Sequence, residues 1–326
     1  MKGPLMKGSL FLLCGLLLAA VSVPVAQQGD SPHSVSISAG DLQAVFANNE
    51  EFPGHRAWYN GINILRHSAD TTVLFQPGVA GLNFEHIFDG QKWTEPAEVL
   101  FEPRSSPMTL ERTGENSVLL HQPPTKLHQL ESWTHFTVSA PNYIDMEFKC
   151  VPRAETFDRG YIGLFWASYI NTSISREYYF IGRKPGETNN RWLAFISPEH
   201  NEKSSVRWVE DMRDPTFADT YPRRLFNDYF QYGYSYPFFY GRRGDMLIML
   251  MFDQAGPLRF SHSPSSGGAV TPRSGPAWDF HYLIYDYKVG QEYGFKARLV
   301  YKPFVSEQDI ISEYESWSGK KVEMGK

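Results

Sequence analysis

Apolar and polar residues alternate with a period of two in run after run of this chain: "SVSIS", "INILRH", "TTVLFQP", "SVLLHQ", "SWTHFTVSA", "YIDMEFKCV", "YIGLFWASYI", "EYYFIG", "RWLAFIS", "DMLIMLMFDQ", "FHYLIYDY" and "YGFKARLVYK". A period of two places alternate side chains on opposite faces of a strand, and the richness in aromatic and β-branched residues suits a pleated, half-buried surface. Turn signals such as "APN", "DRG", "DQAGP" and "KVGQE" separate the runs. About a dozen strands at this spacing predict an all-β chain, a large antiparallel β-sandwich. No alternation with long amphipathic helices appears, which excludes a βαβ architecture.

One helix is signalled, near the C-terminus. In "PFVSEQDIISEYESWSGK", Ser306 can cap the first turn and Glu307 and Asp309 favour its positive end. Ile310, Ile311, Tyr314 and Trp317 make one apolar stripe and Gly319 is the stop. The stripe predicts docking on the outside of a sheet or against a partner. Residues 199–239 have the weakest periodicity and read as long loops, where a binding rim is expected.

The 31 basic and 36 acidic residues are interspersed, with no basic run or Arg-rich helix that could track a phosphate backbone, so nucleic acid is not an expected partner. Residues 1–26 begin with Lys2 and Lys7 ahead of an apolar core from Leu10 to about Val25 and read as a signal peptide. The expectation is export to a periplasmic or extracellular space. The only membrane association foreseen is retention of this segment as an anchor, since it approaches the ~20 apolar residues of a span. The β-sandwich is placed at 27–305 and the helix and tail at 306–326. After removal of the leader only Cys150 remains, so no internal disulfide is possible. Ile144, Met146, Phe148 and Cys150 share one face of a strand, which predicts a buried thiol.

The order of segments carries a resemblance. "YNGINILRHSADTTVLFQP" looks like the opening hairpins of the galactose mutarotase-like superfamily, and "AGLNFEHIFDG" like the Gly-rich turn that follows them. "LESWTHFTVSAPNYIDMEFKCVPR" is similar to the central strand pair of that fold and "KVGQEYGFKARLVYKPF" to its last hairpin. The resemblance spans roughly residues 40–304, is one of strand arrangement, and is strongest to exported bacterial members. It implies a supersandwich with a carbohydrate cleft on a concave face. There a histidine protonates the ring oxygen of the sugar, and a carboxylate near the C-terminal end takes the proton of the anomeric hydroxyl. This chain departs from that pattern: the segment "LFWASYIN", where the histidine is expected, has none. Trp166, Tyr169 and Asn171 stand there instead and suit holding a sugar.

Two polar constellations, read from the residues themselves, are candidates for a site. In "AGLNFEHIFDG", Asn83, Glu85, His86 and Asp89 lie within seven positions and could converge on a sugar hydroxyl or a metal, or only satisfy a turn. In "RFSHSPSSGG" and "PAWDFHYLI", His262 ends a strand, and Asp279 and His281 share a face opposite Trp278 and Phe280. If that face lines the cleft, Asp279 is a candidate base and His281 or His262 a candidate acid, with His86 a further catalytic candidate. His55 and Arg56 could clamp substrate hydroxyls or a carboxylate. The candidate substrate-binding residues are therefore His55, Arg56, Asn83, Glu85, Trp166, Tyr169, Asn171 and Trp278. Residues 226–243 contain nine Phe or Tyr, readable as a glycan platform or as packing.

No cofactor and no metal site are expected, because no nucleophile elbow, zinc motif, phosphate loop or dinucleotide fingerprint occurs. The reading is an exported protein with a carbohydrate ligand, binding or acting on a sugar or glycan. The alternatives are a glycoside hydrolase or polysaccharide lyase on the same fold, and a non-catalytic envelope or adhesion module.

Overall fold

Some strands of this chain show no alternation, because both of their faces are covered. All seven residues of Tyr161–Ala167 are buried, and so are all but the last of Ala277–Tyr285. They sit at the centre of a layered β structure, a computed structural model of which describes residues 30–91, 99–171, 175–211, 213–265 and 275–325. The leader at 1–26 and 266–268 of the Ser/Gly loop lie outside the described residues. No helix among the described residues is long and apolar enough to cross a membrane.

The strands are β1 (Ser34–Ala39), β2 (Leu42–Ala47), β3 (Gly61–His67), β4 (Asn83–Phe88), β5 (Thr109–Gly114), β6 (Ser117–Gln122), β7 (Leu130–Ser139), β8 (Tyr143–Pro152), β9 (Tyr161–Ala167) and β10 (Tyr178–Arg183). They continue as β11 (Arg191–Phe195), β12 (Ser205–Arg207), β13 (Gly233–Tyr234), β14 (Phe238–Arg243), β15 (Met246–Phe252), β16 (Leu258–Ser263), β17 (Ala277–Tyr285) and β18 (Tyr293–Pro303). A short helix α1 (Glu102–Ser105) follows β4, and α2 (Glu307–Ser318) ends the chain. All strand pairs are antiparallel. A three-stranded sheet has the order β1-β2-β3, and a ten-stranded sheet the order β11-β10-β14-β15-β18-β8-β7-β6-β5, with β13 beside β10. A five-stranded sheet has the order β12-β16-β17-β9-β4.

The large and five-stranded sheets face each other across the main core. Phe148 of β8 and Phe295 of β18 meet Phe84 of β4, Trp166 of β9 and Phe280 of β17 there, with Phe84 stacked on Trp166 at 4.9 Å and Trp166 on Phe280 at 5.1 Å. Ile144, Met146, Phe148 and Cys150 all enter this core, as their alternation predicts. The far face of the large sheet is covered by α2 through Ile310, Ile311 and Tyr314. Ser306 Oγ accepts from the Asp309 amide at 3.1 Å and Gly319 closes the helix at φ 70°, both as the sequence predicts. The far face of the five-stranded sheet is covered by Leu100 and by Leu225 and Phe226 of the long loop before β13.

Two sequence expectations are corrected, and one strand lies outside the predicted runs. "TTVLFQP" is not a strand: Leu74 and Phe75 plug the core from a connecting segment whose amide at Leu74 bonds to Leu65 O at 2.8 Å. "LQAVFA" is β2, although its apolar residues form a run without alternation. "NFEHIF" is no turn but strand β4, all six residues buried between β9 and the covering loops.

Candidate functional site

Strand β4 carries one residue too many for its partner. Phe84 pairs with Trp166 and His86 with Phe165, so Glu85 is the extra residue of a β-bulge. Phe84 and Ile87 point into the main core and Phe88 into the outer one, while Glu85 and His86 both line a single cavity beyond the outer face. Alternation alone would have separated them. The side-chain amide of Asn60 steadies the bulge, accepting from the Phe84 amide and donating to the Phe84 carbonyl, each at 3.0 Å.

The cavity has a volume of about 410 Å³, within the range of small-molecule sites, which spans roughly 300–1,000 Å³. Its polar wall is Glu85, His86, Arg104, Tyr169 and Asp279, and its apolar wall includes Tyr59, Phe101 and Phe226. Arg104 comes from α1, whose placement is fixed from beneath: Asn49 and Gln122 donate to the Pro103 carbonyl at 2.9 and 2.7 Å, and Glu102 accepts from His128 Nδ1 at 2.6 Å. The Arg104 guanidinium lies over the Tyr59 ring at 4.0 Å, a cation–π contact.

Glu85 is the hub. Its Oε1 lies 3.1 Å from His86 Nε2, and its Oε2 lies 3.4 Å from Arg104 Nη1. Oε2 also accepts from the Asn83 side-chain amide at 2.9 Å and from the Tyr169 hydroxyl at 2.5 Å. Burial would raise this carboxyl, but His86, Arg104 and Tyr169 outweigh it and bring it down to about 2. An ionised carboxylate only accepts, so the Nε2 of His86 carries a proton and Nδ1 is left as the nitrogen able to exchange one. That Nδ1 is buried and has no hydrogen-bond partner.

Asp279 is the opposite case. Its Oδ1 accepts from the Ser168 amide at 2.9 Å, and its Oδ2 is buried without a partner. Burial pushes this carboxyl well above the usual carboxylate range; the Ser168 amide opposes the shift and the Glu85 charge adds to it. The cavity therefore holds two carboxyls shifted in opposite directions, the kind of arrangement by which sites separate acid from base.

Of the residues singled out in the sequence, the structure brings Glu85, His86, Tyr169 and Asp279 to this one cavity. Asn83 stands behind it, bonded to Glu85. Asp279 and His281 share a face, as expected, but His281 does not line the cavity: its Nδ1 bonds to Ser261 Oγ at 3.0 Å, and burial holds it neutral. His262 also lies elsewhere. Its Nδ1 accepts from the Ser197 amide at 3.2 Å and its Nε2 donates to the Arg176 carbonyl at 2.9 Å, while burial lowers it to about 4. Trp166 and Trp278 belong to the main core, the latter donating from its indole to the Arg176 carbonyl. Asn171 donates to the Val73 carbonyl, outside the cavity. His55 is buried against Phe52 and bonded to Asn63, and Arg56 is exposed beside Tyr59, so neither lines it. Of the aromatic stretch 226–243, Phe226 lines the cavity, Tyr229 lies under the Arg207 guanidinium and donates to the Phe226 carbonyl, and the others pack on the sheets.

Sequence reading missed Tyr59, Arg104, His200 and Arg224, which also line the cavity. None lies in a motif; they arrive on separate loops and on α1, and only the tertiary arrangement gathers them. Among the described residues, no three His, Cys, Asp or Glu side chains gather in a way that could hold a metal ion.

No protein-family model matches the chain. No curated protein matches it in sequence. Solved structures similar in architecture include a putative aldose 1-epimerase from Escherichia coli at 11% identity and TM-score 0.49, covering 84% of this chain and 100% of that one. A galactose mutarotase-like protein from Lactobacillus casei is 9% identical at TM-score 0.48, covering 82% of this chain and 100% of that one. An aldose epimerase homologue from C. elegans is 10% identical at TM-score 0.47, covering 84% and 100%. These likenesses concern the fold alone.

Proposed function

We propose that the cavity binds a cyclic sugar and moves protons between two of its oxygens. The observation that carries this reading is the meeting, in one cavity with His86, of two buried carboxyls shifted in opposite directions: Asp279, raised by burial and with its Oδ2 unpartnered, and Glu85, brought down to about 2 by its partners. Two groups shifted in opposite directions suit concerted acid–base chemistry. The faces of Tyr59, Phe101 and Phe226 suit the C–H faces of a sugar ring.

In this reading His86 is the base and Asp279 the acid. Glu85 holds the imidazole by Nε2, and Nδ1 takes the proton of the anomeric hydroxyl. Asp279 gives its Oδ2 proton to the ring oxygen. The bond from the anomeric carbon to the ring oxygen breaks as the carbonyl forms, and closure on the other face returns both protons to their donors. The raised pKa of Asp279 supports the acid's part in this reading, where the sequence suggests a base. Glu85, Arg104 and Tyr169 form a fixed polar frame that keeps the imidazole in register.

The test is the rate of anomer exchange in a panel of aldoses, followed by NMR, with saccharide binding measured by calorimetry. Faster exchange by the parent, lost in Asp279→Asn with binding kept, supports the reading; no binding and no exchange across the panel removes it. The pair of carboxyls also fits glycoside hydrolysis, in which an acid and a second carboxylate flank the bond. Release of a reducing end from a glycoside without anomer exchange of the free sugar would select that chemistry.

We infer in addition that residues 1–26 direct export, from their basic start and apolar core. The mass of the N-terminal peptide of the mature protein tests this.

A further inference from the structure

Among the described residues, every charge in the cavity wall but one is answered by another. Glu85 and Arg104 are matched, burial raises the Asp279 carboxyl and so disfavours its charge, and burial together with the neighbouring Arg224 lowers the His200 imidazole, which disfavours its charge too. Arg224 is the remaining cation. It has no ion pair with any carboxylate among the described residues, and its Nε is buried without a partner. The adjacent Arg223 differs, facing Asp228 at 3.7 Å. Arg224 is also firmly presented: Asn227 Oδ1 accepts from its amide at 2.7 Å, and the next two residues, Leu225 and Phe226, are buried in the outer core.

An arginine that lines a cavity with hidden, unmatched donors is built for a planar anion. Its fork binds a carboxylate through two parallel bonds, and one such group balances the single surplus charge. A sulfate or phosphate ester presents three acceptor oxygens and calls for donors in several directions; among the described residues no lysine lines the cavity to supply them. His200 adds selectivity of a different kind. Ser263 donates its hydroxyl proton to the Ser265 carbonyl, so its Oγ accepts from His200 Nδ1 at 2.8 Å, and Nε2 is left as an acceptor for a sugar hydroxyl.

We propose, on the basis of the sugar-site reading above, that the ligand is a carboxylated sugar, a uronic acid residue whose carboxylate is read by Arg224. Calorimetry with D-glucuronate and D-galacturonate against D-glucose and D-galactose tests it, on the parent, on Arg224→Gln and on Arg223→Gln as the control. The parent is expected to bind a uronate about tenfold or more tightly than its neutral counterpart, the scale of a charge-assisted hydrogen bond. Arg224→Gln should abolish that preference while keeping affinity for the neutral sugar, and Arg223→Gln should leave both unchanged. Equal affinity for uronate and neutral sugar in the parent would overturn the proposal and leave the sugar site standing. A preference for glucose 6-sulfate over glucuronate would overturn the carboxylate assignment. Absence of binding to all five probes would remove the site reading itself, and the proposal with it.

Discussion

Glu85 Oε1 stands 3.1 Å from Nε2 of His86, its immediate neighbour in the chain, although successive residues of a strand belong on opposite faces. The bulge in β4 makes this contact, and with it a carboxylate–imidazole pair lining one cavity. If Nδ1 is the base, His86→Ala should lower turnover by about 10²–10⁴-fold, the usual contribution of a general base, and change sugar affinity only a few-fold. Steady-state anomer exchange beside calorimetry separates the two; an equal loss in both would make His86 a binding residue.

The buried Glu85–Arg104 pair should behave as a unit. Either Glu85→Gln or Arg104→Gln leaves the other group buried and uncompensated, an expected cost of about 3 kcal/mol. The double variant should cost less than the sum of the two. Urea unfolding of the four proteins measures this, and simple additivity would show that the pair is not coupled.

The pH dependence of stability follows from the two carboxyls with opposite signs. Glu85 has a folded pKa below its unfolded value of 4.5, so its contribution is complete above that value and is lost as pH falls toward about 2. Asp279 has a folded pKa raised above 3.8, so its contribution is complete below the unfolded value and is lost as pH rises through the folded one. Asp279→Asn removes the second slope. Its melting temperature at pH 7 should be no lower than the parent's, while turnover falls about 10²-fold or more. Thermal unfolding from pH 4 to 8 checks this; a melting temperature well below the parent's at pH 7 would count against a neutral Asp279.

The C-terminal helix should be separable from the site. Ser306→Ala removes the bond to the Asp309 amide and should cost about 1 kcal/mol with saccharide binding unchanged.

Cys150 lies in the main core, and burial pushes its thiol up, out of the range of reactive thiolates. It should resist a thiol reagent in the folded protein and react once the chain is unfolded in guanidinium. Labelling in buffer alone would contradict the packing.

The scaffold was legible because alternation is local. β7 follows the period of two along its whole length and β8 does so as far as Cys150, and the stripe and caps of α2 are complete within a few residues. β4 misread as a turn because it is buried on both faces and carries polar residues, so neither hydrophobicity nor period marks it. For the same reason Glu85 and His86 stood out as chemistry before their geometry was known. Trp166 and Trp278 misled in the other direction: an aromatic beside polar neighbours looks like a platform, but alternation sent both rings inward. Arg104 and Arg224 gave no signal, since a side chain brought in by a loop is recognisable only when its destination is known.

The supernumerary position in β4 has a genetic corollary. Deleting a single codon there would give a strand whose ladder with β9 is continuous and whose inward phenylalanine and isoleucine are restored by the two-residue repeat, yet whose outward side offers one group where two now stand. Scaffold and candidate site in this chain are thus separated by one inserted amino acid, which could be lost without rebuilding the sandwich.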